Sequence, residues 1–590
     1  MSVRSTSRDG MRAEWLWLGG LLLVVTALRF VHAGSDPMPQ LDWGFISDAG
    51  TWWKNPRLHA VWGVWTFDDG NFGLLTGPSY TAAMRGIFAM FGVGYAQAFA
   101  TSALSGIACV AIVYAMTRPA YGALTALLAA AFTGINAMTL AYDRSSYPEA
   151  FQGTMMTATV AAIVLARGRS WVAALGGVAV IITLLAKPPG LVLAPVATAT
   201  WIAVWLLERP SARGTFSWRP PIAYALTATV VLALVILLFF VPRADDLLLH
   251  FKQQMSDGAA FGSRDTGRLQ LFGTRLGMRL NGFFSNEWHL IVLAGLFGAL
   301  RLAGVIRREI STLEVACWVW IVLGLGIMGM QTYQQDRRFL FLIPPLSILS
   351  SILLTRAVEL GASHWTSSTT RRVGAGLAVA LVVWIACFYA SPLLMPRVAA
   401  LTKSLGLPWT RGFATGMLAS VAALVAGLLV GWRVPSVRVR LPVLPQLAIA
   451  AALLLIIGAR AARQVATREY GLQQVSETIK RISHGWPMAD RVAVGWPAGT
   501  LTLGSNVLPA NHELKGMRAA ERFRPQFELY AVAVGGTLNR SEHWDVPGRP
   551  RKVECTTLPI WDGRYIIHIF VEPDRLAACQ LAAQAPAPTS

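Results

Sequence analysis

Four clusters of polar side chains in this sequence carry the residue types needed for acid–base chemistry beside an anionic group. Between Asp42 and Tyr80 the chain places Asp48, Trp52, Trp53, Lys54 and Arg57 close together, followed by the acidic pair Asp68 and Asp69. Tyr142, Arg144 and Glu149 lie in LAYDRSSYPEAF, Lys187 in AKPPG, and Arg337 and Arg338 in QTYQQDRRFLFLIPP. A carboxylate held at a dry, fixed position can act as a general base. Cations ringing one cavity suit a phosphate, and a guanidinium offers it two parallel hydrogen bonds. Asp48 is the candidate base and Glu149 a second carboxylate. Arg337, Arg338 and Lys187 are candidate phosphate ligands, with Lys54, Arg57, Arg144, Trp52 and Tyr142 in support.

Each group also has a plainer reading. Ser47 or Asp48 can be a helix N-cap. A lysine or arginine at a helix end can simply snorkel to the interface. Arg144 and Glu149 can pair with each other across Pro148. Asp68 and Asp69 sit in DDGN, a turn signature favoured here over a metal-binding pair. No HExxH, zinc-spaced cysteine pair or Walker loop is present. If a divalent cation takes part, Asp48 and Glu149 are its candidate ligands.

The elements that position these groups are membrane spans. Of 590 residues, 54% are hydrophobic and only 14% charged, and the mean hydropathy of +0.49 is too apolar for an ordinary soluble domain. Runs near the length that crosses a hydrocarbon core recur about thirteen times. They fall near 15–33, 95–117, 119–138, 150–166, 171–186, 188–207, 222–242, 288–305, 313–330, 339–358, 373–391, 412–432 and 446–462. Arginine concentrates in alternate short loops, which places the N-terminus in the cytoplasm and the four polar clusters on the outer side. The first span lacks a cleavage site and reads as an uncleaved anchor. The net charge of +20 is dispersed over loops and forms no single stripe, so nucleic-acid binding is a poor reading. Abundant alanine and the preference for arginine over lysine associate the chain with a GC-rich bacterial genome, hence the bacterial inner membrane.

Residues 1–462 therefore form an all-α polytopic domain, with a long first outer loop at 34–94 and a second at 243–287. Residues 463–590 form a small extracytoplasmic α/β or α+β domain. It has a helix near Glu469–Ser483 and strands near Arg491–Gly495, Leu529–Val534 and Tyr565–Val571. In the first loop an amphipathic helix from Asp48 to Gly63, interrupted or kinked at Pro56, would rest its tryptophans at the membrane interface. A second surface helix follows Pro78. Cys109, Cys317 and Cys387 fall in spans as packing residues. Cys555 and Cys579 lie in the outer domain, where a disulfide is permitted.

Taken in order, these motifs resemble the GT-C class of integral membrane glycosyltransferases, which includes aminoarabinose transferases and protein O-mannosyltransferases. The resemblance rests on D-x-G-x-W-W-x-N-x-R from Asp48 to Arg57, G-x-W from Gly63 to Trp65, Pro78, and Phe91 to Gly94. It continues through Y-D-R-x-x-x-x-E from Tyr142 to Glu149, Lys187, and D-R-R-F ahead of Pro344 and Pro345. It covers the membrane domain and fades in the tail. It implies transfer of a hexosyl or pentosyl group from a polyprenyl-phosphate donor to an envelope lipid, glycan or protein, on the outer face and with inversion. Asp48 would then be the base, Glu149 the second acid and Arg337 the phosphate contact. Two departures stand out: Ala49 replaces the usual Glu after the first Asp, and Arg338 replaces the Tyr after Arg337. A flippase of lipid-linked saccharide and a noncatalytic scaffold for the tail are the alternatives. A flippase should show intramembrane charges, repeated halves or broken helices, and the sequence suggests none.

Overall fold

Apolar runs without internal Gly-Pro punctuation become helices, and these helices build most of the molecule. The computed structural model describes residues 8–33, 43–63, 72–166, 169–187, 193–208, 217–245, 310–330, 336–363, 444–466 and 472–486. It also describes parts of 283–301, isolated positions including 190, 503 and 505, and the strands and last helix of the C-terminal part. For residues 43–51 the description is of backbone alone.

The helices are α1 (Arg8–Phe30), α2 (Trp43–Trp62), α3 (Phe72–Thr76), α4 (Pro78–Phe91), α5 (Tyr95–Tyr121), α6 (Ala123–Gly134), α7 (Ala137–Asp143), α8 (Pro148–Ala166), α9 (Ser170–Ala186), α10 (Leu193–Glu208) and α11 (Arg219–Val235). There follow α12 (His289–Gly298), α13 (Thr312–Met330), a 3-10 segment Asp336–Leu342, α14 (Ile343–Ser363), α15 (Leu444–Ala466), α16 (Leu472–Ile482) and α17 (Leu576–Gln584). Among the described residues five helices are long and apolar enough to cross a membrane, or six if one bent pair counts as a single span. The spans expected at 373–391 and 412–432 lie outside the described residues.

The bent pair corrects the expectation of one continuous span at 119–138. α6 and α7 meet at an angle of 58°. Asn136 causes the break: its side chain accepts a hydrogen bond from the Thr139 amide and so caps a new helix. A broken helix, not anticipated from sequence, is therefore present.

α8 packs between α5 and α9, and α9 against α11. Gly177 permits the last contact, since a Cβ there would come within 2.4 Å of the Tyr224 carbonyl oxygen. Leu226, Leu237 and Leu238 at and beyond α11 are exposed, as side chains facing lipid acyl chains would be.

The first-loop helix starts earlier than expected and keeps Pro56 inside it. Trp52 and Trp53 do not lie at an interface: they are buried among Tyr80, Met84, Phe88, Tyr95 and Phe99 of α4 and α5. Aromatic side chains suit either setting, and the cover supplied by neighbouring helices decides between them. Trp62, expected beside them, has a side chain outside the description, as do Asp68 and Asp69 altogether.

The C-terminal part is a five-stranded mixed sheet in the order β2-β1-β3-β5-β4. β1 (Val492–Val494) runs parallel to β2 (Leu508–Ala510) and β3 (Leu529–Val534), whereas β5 (Tyr565–Val571) is antiparallel to β3 and to β4 (Val553–Ile560). Cys555 on β4 and Cys579 on α17 form a disulfide with Cα atoms 6.1 Å apart. Cys109 and Cys317 are free and buried.

Candidate active site

The site forms where three chain segments meet: the start of α8, the end of α9 and the 3-10 segment before α14. The turn after α7 closes with hydrogen bonds from the Ser145 amide to the Tyr142 carbonyl and from the Tyr147 amide to the Ser145 carbonyl. Pro148 then opens α8, a position where its missing N–H costs nothing. That places Glu149 in the first turn of α8, where the helix dipole favours a carboxylate. Lys187 is the residue immediately after α9, and the Gln152 amide group fixes it by donating to its carbonyl at 2.8 Å. Arg337 and Arg338 lie in the 3-10 segment that leads into α14, whose second and third residues are Pro344 and Pro345.

These segments bring Glu149, Lys187 and Arg337 together, all three buried. The Lys187 ammonium donates to Oε1 of Glu149, and Arg337 Nε stands 3.0 Å from the same oxygen. Arg338 is close enough to exert its charge on both Glu149 and Lys187. Burial pushes the Lys187 ammonium down to about 8 and the two arginines push the same way, while Glu149 holds it up. Among the described residues three cations thus gather near Glu149.

Aromatic rings frame this cluster. Lys187 lies 5.2 Å from the centre of the Trp52 ring and Arg337 lies 4.0 Å from that of Tyr147. The Trp52 ring meets Tyr80 edge-on at 6.2 Å. The Tyr80 hydroxyl is 3.0 Å from that of Ser102, which donates in turn to the Tyr147 carbonyl. Tyr142 meets Tyr147 edge-on at 6.1 Å. These contacts tie the first-loop helix to the cation cluster. Asp48 occupies the position one turn before Trp52 on α2, a spacing that puts both on one face of the helix; its side chain lies outside the description.

Other expectations resolve differently. Arg144, expected to pair with Glu149 across Pro148, turns to the end of α1. It donates to the carbonyls of Leu28, Arg29 and Val31 at 2.7–3.0 Å, satisfying the open end of α1. Lys54 and Arg57 are buried, and Arg57 donates to the Ser505 carbonyl at 2.6 Å. Lys187 and Arg337 both meet Oε1 of Glu149, and its Oε2 is buried with no hydrogen-bond partner among the described residues. Among the described residues no group of three or more His, Cys, Asp or Glu could hold a metal.

One buried pair escaped sequence reasoning. Arg29 near the end of α1 donates through Nε to Asp143 Oδ2 at 2.9 Å, and through Nη1 to the Gly134 and Val25 carbonyls. Gly106 on α5 makes room: a Cβ there would overlap Asp143 Oδ2 at 1.9 Å. The only sequence signal was an arginine at the end of the first span, with nothing to name its partner 114 positions away. Asp143 and Glu149 line one pocket, together with Thr139, Thr154 and Pro344.

No protein-family model matches the sequence, and no curated protein sequence matches it. Solved structures do. ArnT from Cupriavidus metallidurans bound to undecaprenyl phosphate superimposes with a TM-score of 0.52 at 14% identity, covering 98% of this chain and 100% of its own. The apo form of the same protein gives 0.51 with the same identity and coverage. The oligosaccharyltransferase of Archaeoglobus fulgidus in its apo form gives 0.49 at 12% identity, over 90% of this chain and 70% of its own. The overlay on ArnT extends over nearly all of both chains, and by it the present chain has the fold of the GT-C membrane glycosyltransferases.

Proposed function

We propose that the protein transfers a sugar from a polyprenyl-phosphate donor to an envelope acceptor, by inverting displacement on the outer face of a bacterial inner membrane. One observation carries this reading: the buried Lys187 and Arg337 and the half-buried Arg338 converge on Glu149 at the ends of their segments. Cations gathered at one site suit an anionic group, and a guanidinium can meet it with two parallel hydrogen bonds. A phosphate supplies that anion, and its departure from the anomeric carbon is favoured by fixed cations at the developing charge. The structural likeness to a protein captured with undecaprenyl phosphate supports the lipid-linked donor.

In this scheme Lys187, Arg337 and Arg338 hold the carrier phosphate. Glu149 is their counter-charge and keeps Lys187 and Arg337 aimed, a role nearer to positioning than to the second catalytic acid expected from sequence. Asp48, one turn from Trp52, takes the proton from the acceptor hydroxyl as it attacks. The isoprenoid tail lies among the spans, and the soluble part at 463–590 covers the site. Envelope lipids, glycans and proteins are the acceptor classes, and the sugar is a hexose or pentose.

The broken helix at Asn136 favours the flippase alternative, since transporters use such breaks. Proteoliposomes loaded with donor and acceptor separate the two. Formation of transferred product sensitive to Asp48→Asn supports the transferase, whereas donor translocation with no product supports the flippase.

A further inference from the structure

α2 carries the candidate base near one end and is anchored at the other. Pro56 lies inside the helix, and without an N–H it leaves the Trp52 carbonyl lacking its usual helical hydrogen bond. The helix is therefore weakest between the turn bearing Asp48 and Trp52 and the turns that follow. Two lateral anchors lie beyond that weak point. His59 accepts a hydrogen bond from Arg85 Nε of α4 at 2.7 Å. Arg57, with no solvent exposure, donates from Nη2 to the carbonyl of Ser505 at 2.6 Å, across 448 residues of sequence.

The surroundings of the second anchor are those of a seated contact. Ser505 and the nearby Leu503 are both buried. Leu503 belongs to one apolar cluster that also contains Trp52 and Trp53 of α2, Leu472, Val475 and Ile479 of α16, and Ile567 and Ile569 of β5. The core of the C-terminal sheet is thus continuous with the aromatic packing around α2. A guanidinium is buried without large penalty only where acceptors meet it, and here the soluble part provides one.

We infer that Arg57 is a positioning residue that latches the C-terminal domain onto the first-loop helix, so that the soluble part holds Asp48 and Trp52 in working register. This assigns the C-terminal domain a role in turnover rather than acceptor choice alone, and the turnover part rests on the function proposed above. The latch itself does not, and it can be tested without activity.

The experiment uses the full-length protein in detergent, with a specific protease site inserted between Ala466 and Leu472. After cleavage, retention of the C-terminal fragment is measured by size exclusion for the parent, Arg57→Met and Arg57→Lys. The parent should keep its fragment, and Arg57→Met should lose it with an affinity weakened by roughly 10-fold or more, the effect of removing a charged hydrogen bond. Arg57→Lys, which keeps the charge at shorter reach, should fall between and serves if the methionine variant does not fold. In uncleaved protein kcat should drop with the donor KM unchanged. Equal fragment retention in all three proteins would overturn the latch. A raised donor KM with the fragment retained would make Arg57 a substrate ligand instead.

Discussion

Two ionic groups each contribute a carboxylate to one pocket and differ in the cations around it. In the first, Arg29 meets Asp143 one to one, and the remaining guanidinium hydrogens reach the Val25 and Gly134 carbonyls. In the second, Glu149 meets Lys187 and Arg337, with Arg338 near enough to act on it through its charge. The first group is electrically closed and joins α1, α6 and α7. The second gathers three cations near one carboxylate among the described residues and, in the function proposed above, is open to a further anion. Burial alone does not distinguish a structural ion pair from a ligand site, so the number of cations near the carboxylate is the contrast to test.

The largest expected effect lies just outside both groups. Asp48→Asn should lower transfer by roughly 10²–10⁴-fold, the range for losing a general base, with expression and membrane insertion unchanged. Retained turnover would remove Asp48 from the mechanism. Within the balanced pair, Asp143→Asn or Arg29→Met should cost roughly 3–5 kcal/mol of stability, because each leaves its partner buried and uncompensated. A detergent melting curve checks this, and the surviving folded protein should keep its donor KM. A stable Asp143→Asn protein with a raised donor KM would erase the contrast.

The open cluster should behave in the opposite way. Arg337→Ala should raise the donor KM by about 10–100-fold, the loss of a charged hydrogen bond, with a melting curve run beside it to separate this from lost stability. The smallest effect concerns pH. Lys187 carries its charge below about 8 and loses it as pH rises through that value. Donor KM should therefore climb above pH 8, and Lys187→Arg should flatten the climb, because a guanidinium stays protonated throughout. A KM independent of pH in the parent would detach Lys187 from the phosphate.

The unequal legibility of these regions has physical causes. The apolar runs behind α1, α5, α8 and α9 are long and continuous, so their positions follow from hydropathy. Pro78 announces the start of α4. β1, β3 and β5 are β-branched and aromatic runs, while the unanticipated β2 is only three residues and β4 mixes Glu, Cys, Thr and Pro into its alternation. The Asn136 break hides because a single capping residue does the work in an otherwise apolar stretch. The cations of the open cluster were visible as helix-end residues, but the fate of Arg144 was not. An arginine that caps a neighbouring helix and one that meets a phosphate look alike until the packing is known. Arg29 and Asp143 illustrate the same limit across 114 positions.

The central claim is that the open cluster binds a lipid phosphate, and direct binding of undecaprenyl phosphate tests it without requiring the acceptor or the sugar. Affinity would be measured by native mass spectrometry for the parent, Arg337→Ala and Arg144→Ala. Binding to the parent, weakened by about 10-fold or more in Arg337→Ala and unchanged in Arg144→Ala, is the predicted result. Equal binding by the parent and Arg337→Ala would contradict it.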